Sequence, residues 1–90
     1  MNVTAAYAVQ EISQIASPRR VAQTLANQSG FSEERAGTVA LVVTELATNL
    51  VKHATGGEIL LRSIRDTDGG TDARGIEVLA IDRGPGMPDP

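Results

Sequence analysis

The sequence Thr44-Glu45-Leu46-Ala47-Thr48-Asn49-Leu50-Val51-Lys52-His53-Ala54 decides the fold that we predict. It reads as the second half of a helix that begins near Ser32 and runs to about Ala54, where Gly56-Gly57 prevents its continuation. Apolar residues recur through this helix at steps of three and four, the pattern of an amphipathic helix. They are Ala36, Val39, Val43, Leu46, Ala47, Leu50 and Ala54. One side of the helix should therefore face a core.

The opposite side of the same helix is polar. At about 100° per residue, Glu45 and Asn49 lie about 40° apart and one turn after the other. Lys52 falls on the same side and His53 on its edge, and they are the only lysine and histidine of the chain. An ordinary solvent-exposed helix shows the same kind of polar stripe. This helix alone therefore does not distinguish a binding or catalytic site from a solvated surface.

Composition excludes several classes of protein. Ninety residues suffice for one small domain. The net charge of −3 and the presence of only two aromatic residues argue against a nucleic-acid surface, which needs clustered cations or stacking platforms. We find neither a membrane span nor a signal peptide, and without cysteine there is no disulfide frame or thiolate metal site. We expect a cytoplasmic protein.

Upstream of the central helix we predict one strand and one helix. Residues 4–15 are rich in Ala, Val and Ile without a helical stripe, which favours a strand at a sheet edge. Ser17-Pro18 then predicts a helix start, with Ser17 as the N-cap and Pro18 at the first helical position. Gly30 should end this helix as a left-handed cap, and Ser32 should cap the next one.

Downstream we predict two strands, at 58–65 and 76–81. The second is nearly continuous in apolar residues and should be central in its sheet. The polar segment 66–75 contains three aspartates, which could suggest a calcium loop, but it lacks the ligand spacing of an EF-hand and reads as a hairpin connection. Helices that come together, followed by paired strands, indicate an α+β two-layer sandwich with both helices on one face of a mixed or antiparallel sheet.

A second motif follows the last predicted strand, at Asp82-Arg83-Gly84-Pro85-Gly86-Met87. A carboxylate at a strand end followed by Gly-Pro-Gly lets a ligand approach the backbone closely, because glycine has no side chain to block it. Asp82 could accept a hydrogen bond from an exocyclic amine and so distinguish adenine from guanine. A plain strand-ending turn is the alternative, and a short Gly-x-Gly carries little information by itself.

Together the two motifs resemble the N box and the G1 box of the Bergerat-fold (GHKL) ATPases. This superfamily includes a gyrase subunit, a chaperone, sensor histidine kinases and bacterial anti-sigma-factor kinases. Within it, residues 43–49 and 82–89 look most like the small serine/threonine switch kinases of the RsbT and RsbW type. The resemblance runs from about Ser17 to the end of the chain and covers the order of helix, glycine stop, hairpin and aspartate-ended strand.

The resemblance implies a role for each matching residue. Glu45 would act as the general base, and Asn49 would bind Mg²⁺ through its amide oxygen. Lys52 and His53 would lie near the phosphates of ATP, and Asp82 would recognise the adenine amino group. The segment beside the base would be formed by Gly84, Gly86 and Met87.

The resemblance also implies a function, namely an ATP-dependent serine/threonine protein kinase. It would transfer the γ-phosphate to a STAS-domain antagonist protein and would also bind a sigma factor or a PP2C-type phosphatase. Such partner switching would control stress-response transcription. Family members often form homodimers, and the sequence does not identify a surface for one. The alternatives are a non-catalytic, nucleotide-dependent interaction module and the N-terminal part of a regulator fused to a phosphatase domain. The histidine-kinase branch fits less well, since the residues before the central helix contain no phosphate-accepting histidine.

The sequence ends at Pro90, immediately after the G1 box. Relatives continue with a G2 box, a lid over the phosphates and further strands. We therefore expect residues 1–90 to be a partial ATP-binding domain with an exposed sheet edge. We also expect this piece to bind ATP weakly and to have little phosphotransfer activity alone.

Overall fold

The structure, a computed structural model, describes residues 4–67, 70 and 73–82. Two helices pack on one face of a three-stranded antiparallel sheet, which confirms the predicted α+β two-layer sandwich. A 3-10 turn at Ile12–Gln14 follows the first strand. In chain order the main elements are β1 (Thr4–Val9), α1 (Ala16–Gln28), α2 (Glu33–His53), β2 (Gly57–Asp66) and β3 (Ala73–Asp82).

The order of the described sheet is β1-β2-β3, with β1 at an edge as predicted and β2 in the centre. Within the described residues β3 pairs with β2 alone, so the predicted central position of β3 is not seen in this three-stranded sheet. Its apolar run is not covered on both sides, because Ile76 and Val78 pack against the core while Leu79 and Ile81 remain 47% and 45% exposed on the other face. A continuous apolar run therefore marks here a strand with one covered and one open face.

The core lies between the sheet and the helices. Along β2, Ile59 and Leu61 are fully buried towards the helices, whereas Leu60 between them is half-buried on the far face, as the alternation predicts. Burying side chains of this size contributes about 1.5–3 kcal/mol each. The buried residues of α2 are Ala36, Ala40, Val43, Ala47 and Leu50.

The start of α2 follows the predicted chemistry. The Ser32 hydroxyl oxygen accepts a hydrogen bond from the backbone N–H of Arg35 at 3.1 Å, and Glu33 and Glu34 lie in the first turn. Both features compensate for unpaired N–H groups and the positive end of the helix dipole. The sequence locates both ends of this helix to within one residue.

The start of α1 differs from the prediction. The helix begins at Ala16, its N-cap is Ile15, and Ser17 lies inside the first turn, so Ser17 is not the cap. The reason is the preceding 3-10 turn, which leads directly into α1, so that the N–H of Arg19 already donates to the carbonyl of Ile15. Pro18 is still tolerated, because N–H groups of the first turn have no intrahelical partner.

The end of α1 is the glycine cap that the sequence predicts. Gly30 has a φ of +89°, a left-handed conformation that glycine adopts without a steric penalty. Its N–H donates to Asn27, and the N–H of Phe31 donates to Ala26. This pair of bonds is the Schellman motif, and it turns the chain sharply enough for α2 to pack beside α1.

Candidate functional site

Helix α2 positions the predicted catalytic and metal-binding side chains. Val43, Ala47 and Leu50 are held in the core, which fixes the rotation of the helix about its axis. Glu45 and Asn49 consequently lie on the outward side, and both are exposed. A carboxylate and an amide oxygen therefore lie one helical turn apart on the side of α2 that faces away from the core.

Two threonines lie close to this stripe, and neither offers its hydroxyl hydrogen. The hydroxyl of Thr44 donates to the carbonyl of Ala40 at 2.9 Å, and that of Thr48 donates to the carbonyl of Thr44 at 2.7 Å. Hydroxyls in helix interiors commonly bond backward in this way. Glu45 and Asn49 are thus the chemically prominent groups in this half of the helix.

Lys52 and His53 occupy the last turn of α2, and both are exposed. Cations at this position stabilise the helix, because its C-terminal end carries partial negative charge. The same negative end would repel a phosphate group, so a polyphosphate seated here needs compensating positive charge. The two residues can serve either purpose, and their assignment to phosphate binding is still a prediction.

A pair of glycines carries the chain from α2 into the sheet. Gly56 has a φ of +99°, and a Cβ there would come within 2.9 Å of both the Val9 carbonyl oxygen and the Gln10 side chain. At Gly57 a Cβ would collide with the carbonyl oxygen of Ile81. The sequence predicts these glycines only as a helix stop, whereas the structure shows that they also permit close approach to β1 and β3.

The register of the sheet places Asp82 on the side of the helices. Asp82 lies directly opposite Gly57, and directly opposed residues in an antiparallel pair point to the same face. That face also carries Ile59, which is fully buried under the helices. Leu50 of α2 would lie 3.1 Å from a Cβ on Gly57, so the end of the helix packs over this point. Asp82 is exposed and ends β3 beside the C-terminal turn of α2.

The remaining predicted site residues can be placed only in part. Gly84, Gly86 and Met87 lie outside the described residues. Among the described residues, no group of three or more histidines or acids could hold a metal ion by itself. A single amide oxygen such as that of Asn49 suits the other common mode, in which Mg²⁺ keeps several waters and is held by one side chain together with phosphate oxygens.

These features define a class of protein: a two-layer α+β domain that presents an acid and an amide on its central helix and an aspartate at the neighbouring strand end. Residues 8–90 match the family described as the histidine kinase-like ATPase domain, and the chain belongs to that family. The described part, with two helices on a three-stranded sheet, is consistent with the Bergerat fold of that family.

One curated relative is the serine/threonine-protein kinase RsbT of Bacillus subtilis (strain 168). It is 28% identical over 75 residues, which cover 83% of this chain and 53% of that protein. The chain thus spans about half the length of the relative that it matches. No solved structure gives a significant match to the chain. None of the helices in the described part is both long enough and apolar enough to cross a membrane.

Proposed function

We propose that the complete protein is an ATP-dependent serine/threonine kinase of the anti-sigma-factor or switch-kinase type. Membership of the histidine kinase-like ATPase family and the likeness to a serine/threonine kinase support this proposal. The observation that carries it is the register of β3, which directs Asp82 to the helix-covered face beside the end of α2. Had the register directed Asp82 to the open face, the sheet would lie between Asp82 and helix α2.

In the proposed reaction a serine or threonine hydroxyl of a partner protein attacks the γ-phosphorus of ATP. A new bond forms between that oxygen and phosphorus, the bond from the γ-phosphorus to the bridging oxygen breaks, and ADP leaves. The carboxylate of Glu45 accepts the proton of the attacking hydroxyl. Because Glu45 is exposed on the outward side of α2, it can reach a hydroxyl presented by a second protein.

The other residues bind and orient the nucleotide. Asn49 would hold Mg²⁺ through its amide oxygen, and the bound ion supplies neutralisation of the phosphate charge. Lys52 and His53 would add positive charge near the phosphates. Asp82 would accept a hydrogen bond from the adenine amino group, which gives preference for adenine over guanine. The substrate that we propose is a STAS-domain antagonist protein, with a sigma factor or a PP2C-type phosphatase as a further partner.

The first test replaces Glu45 by alanine in the complete protein. Removal of a general base should lower the rate of phosphate transfer about 10²–10⁴-fold. ATP binding should be unchanged, since the base is not needed to hold the nucleotide. The measurements are transfer of radiolabelled γ-phosphate to a purified STAS-domain protein and calorimetric titration with MgATP. Normal transfer by Glu45→Ala would refute the assignment of the base.

Asp82→Asn is the matched variant, because it keeps the size of the side chain and removes its charge. It should weaken the binding of ATP itself. The preference for ATP over GTP should fall as well, and it should fall less if a water molecule mediates the contact to adenine. Equal loss of transfer and unchanged binding in both variants would contradict the separate roles. Binding of ATP by the unsubstituted protein with no transfer to any STAS-domain protein would favour the non-catalytic interaction module.

A further inference from the structure

A groove lies between the two helices, apart from the predicted nucleotide site. Its volume is about 540 Å³, within the range of roughly 300–1,000 Å³ that ligand sites occupy. Helix α1 contributes Arg19, Arg20 and Gln23, and α2 contributes Gly37 and Leu41 among others. On a helical projection Asn49 lies about 130° from the groove side of α2, and Glu45, one turn after Leu41, lies about 90° from it.

Small residues keep the groove open. A Cβ added at Gly37 would meet no atom within 4 Å, although this glycine lies in α2, which packs against α1. Ala40 continues the floor with a single methyl group. Leu41 lies beside them and is 57% exposed, so its apolar side chain is accessible to another molecule. The groove thus offers an apolar surface with room for a side chain from another molecule.

The charge of the groove is positive. Arg19 and Arg20 line it, and in the described part of the chain neither has an ion-pair partner. None of the seven described residues that line the groove is acidic. This contrasts with the chain as a whole, which has 11 acidic and 8 basic residues. Guanidinium groups are suited to carboxylates, which each can bind through paired, charge-assisted hydrogen bonds.

We propose that this groove is a docking surface for an acidic segment of a partner protein. The segment carries an aspartate or glutamate that pairs with Arg19 or Arg20, and a neighbouring apolar side chain that packs on Leu41 over Gly37. Arginine is among the residues enriched in binding hot spots, which supports Arg19 and Arg20 as the anchors of the interaction. Nucleic acid is disfavoured as the occupant, because the chain is acidic overall and the groove has no aromatic stacking surface. The proposal does not require the kinase activity.

The test selects peptides from a library of random dodecapeptides displayed on phage, with the 90-residue chain immobilised. Enriched peptides should combine acidic residues with a leucine-like residue. Their affinities, measured by fluorescence anisotropy, should fall at least about tenfold for Arg19→Glu and for Arg20→Glu, because attraction becomes repulsion. They should also fall as salt is raised.

Gly37→Leu provides a second variant that leaves the charge unchanged. Its side chain should fill the groove and abolish peptide binding, and leucine is well tolerated in a helix. Arg35→Glu is the matched control, since Arg35 stacks on Phe31 outside the groove and the change in charge is the same. It should alter affinity less than twofold. Thermal unfolding of every variant shows whether the fold is retained.

Other outcomes overturn the proposal. Enriched peptides that bind Arg20→Glu and Gly37→Leu as tightly as the unsubstituted chain would place the docking surface elsewhere. Failure to enrich acidic peptides would exclude the acidic occupant. Binding of a twelve-nucleotide DNA strand or of inorganic phosphate that depends on Arg19 and Arg20, without peptide binding, would assign the groove to phosphate groups instead.

Discussion

The inward and outward faces of helix α2 contrast in what their residues do. The inward face consists of small and medium apolar side chains, with Val43 and Ala47 completely excluded from solvent. The outward face carries Glu45, Asn49 and Lys52, all exposed. The same 21 residues therefore build the core and display the candidate chemistry. Because the two sets of side chains do not touch the same neighbours, substitutions on the two faces should affect different properties.

The largest effect on stability is expected from a charge on the inward face. Ala47→Asp would bury a carboxylate at a position with no exposed surface, which should cost about 3–5 kcal/mol and leave the domain largely unfolded. Asn49→Asp places the same side chain two residues further on, in solvent, and should keep the fold. Circular dichroism and urea titration measure the difference. A folded Ala47→Asp with unchanged midpoint would disprove the burial of this face.

A truncation on the inward face should have the next largest effect. Leu50→Ala removes a side chain that packs over Gly57 and is 5% exposed, so we expect a loss of about 2–4 kcal/mol in the free energy of unfolding. Lys52→Ala, on the outward face, should change this quantity by no more than about 0.5 kcal/mol. Equal losses for the two variants in urea titration would contradict the separation of the faces.

The smallest effect concerns the flank between the two faces, and its sign is opposite. Gly37→Ala should raise the free energy of unfolding by about 0.5–1 kcal/mol, because alanine has the higher helix propensity and its methyl group meets no atom. Differential scanning calorimetry measures the shift. A lower melting temperature would mean that the groove at Gly37 is closed in solution, which would also weaken the docking proposal.

The sequence predicted the elements well where a pattern repeats along the chain. The three-and-four periodicity located α2, and the Ser32 cap and the Gly30 turn followed from local chemistry. Ser17 failed as a cap, because the preceding 3-10 turn already supplied the start of α1. A Ser-Pro pair indicates a helix start in its immediate vicinity, and it cannot predict a 3-10 turn that begins five residues earlier.

The sequence predicts which residues belong to the candidate site better than it predicts their positions relative to one another. The face to which Asp82 points depends on its register with Gly57, and the polar connection between β2 and β3 does not define that register in the sequence. A slip of one residue would direct Asp82 to the open face. The cationic groove was missed for a related reason, since Arg19-Arg20 becomes notable only when Gly37 and Leu41 are seen to face it.

The absence of space around Gly57 has a consequence for ligand binding. With the carbonyl of Ile81 on one side and Leu50 on the other, the end of α2, the start of β2 and the end of β3 are locked against one another. The position of the end of α2 relative to the end of β3 is consequently set during folding. If both elements hold the nucleotide, as we propose, the entropy of arranging them is lost before the ligand binds. A single methyl group added at Gly57 would collide with the carbonyl of Ile81 and would change the distance between the end of α2 and the end of β3.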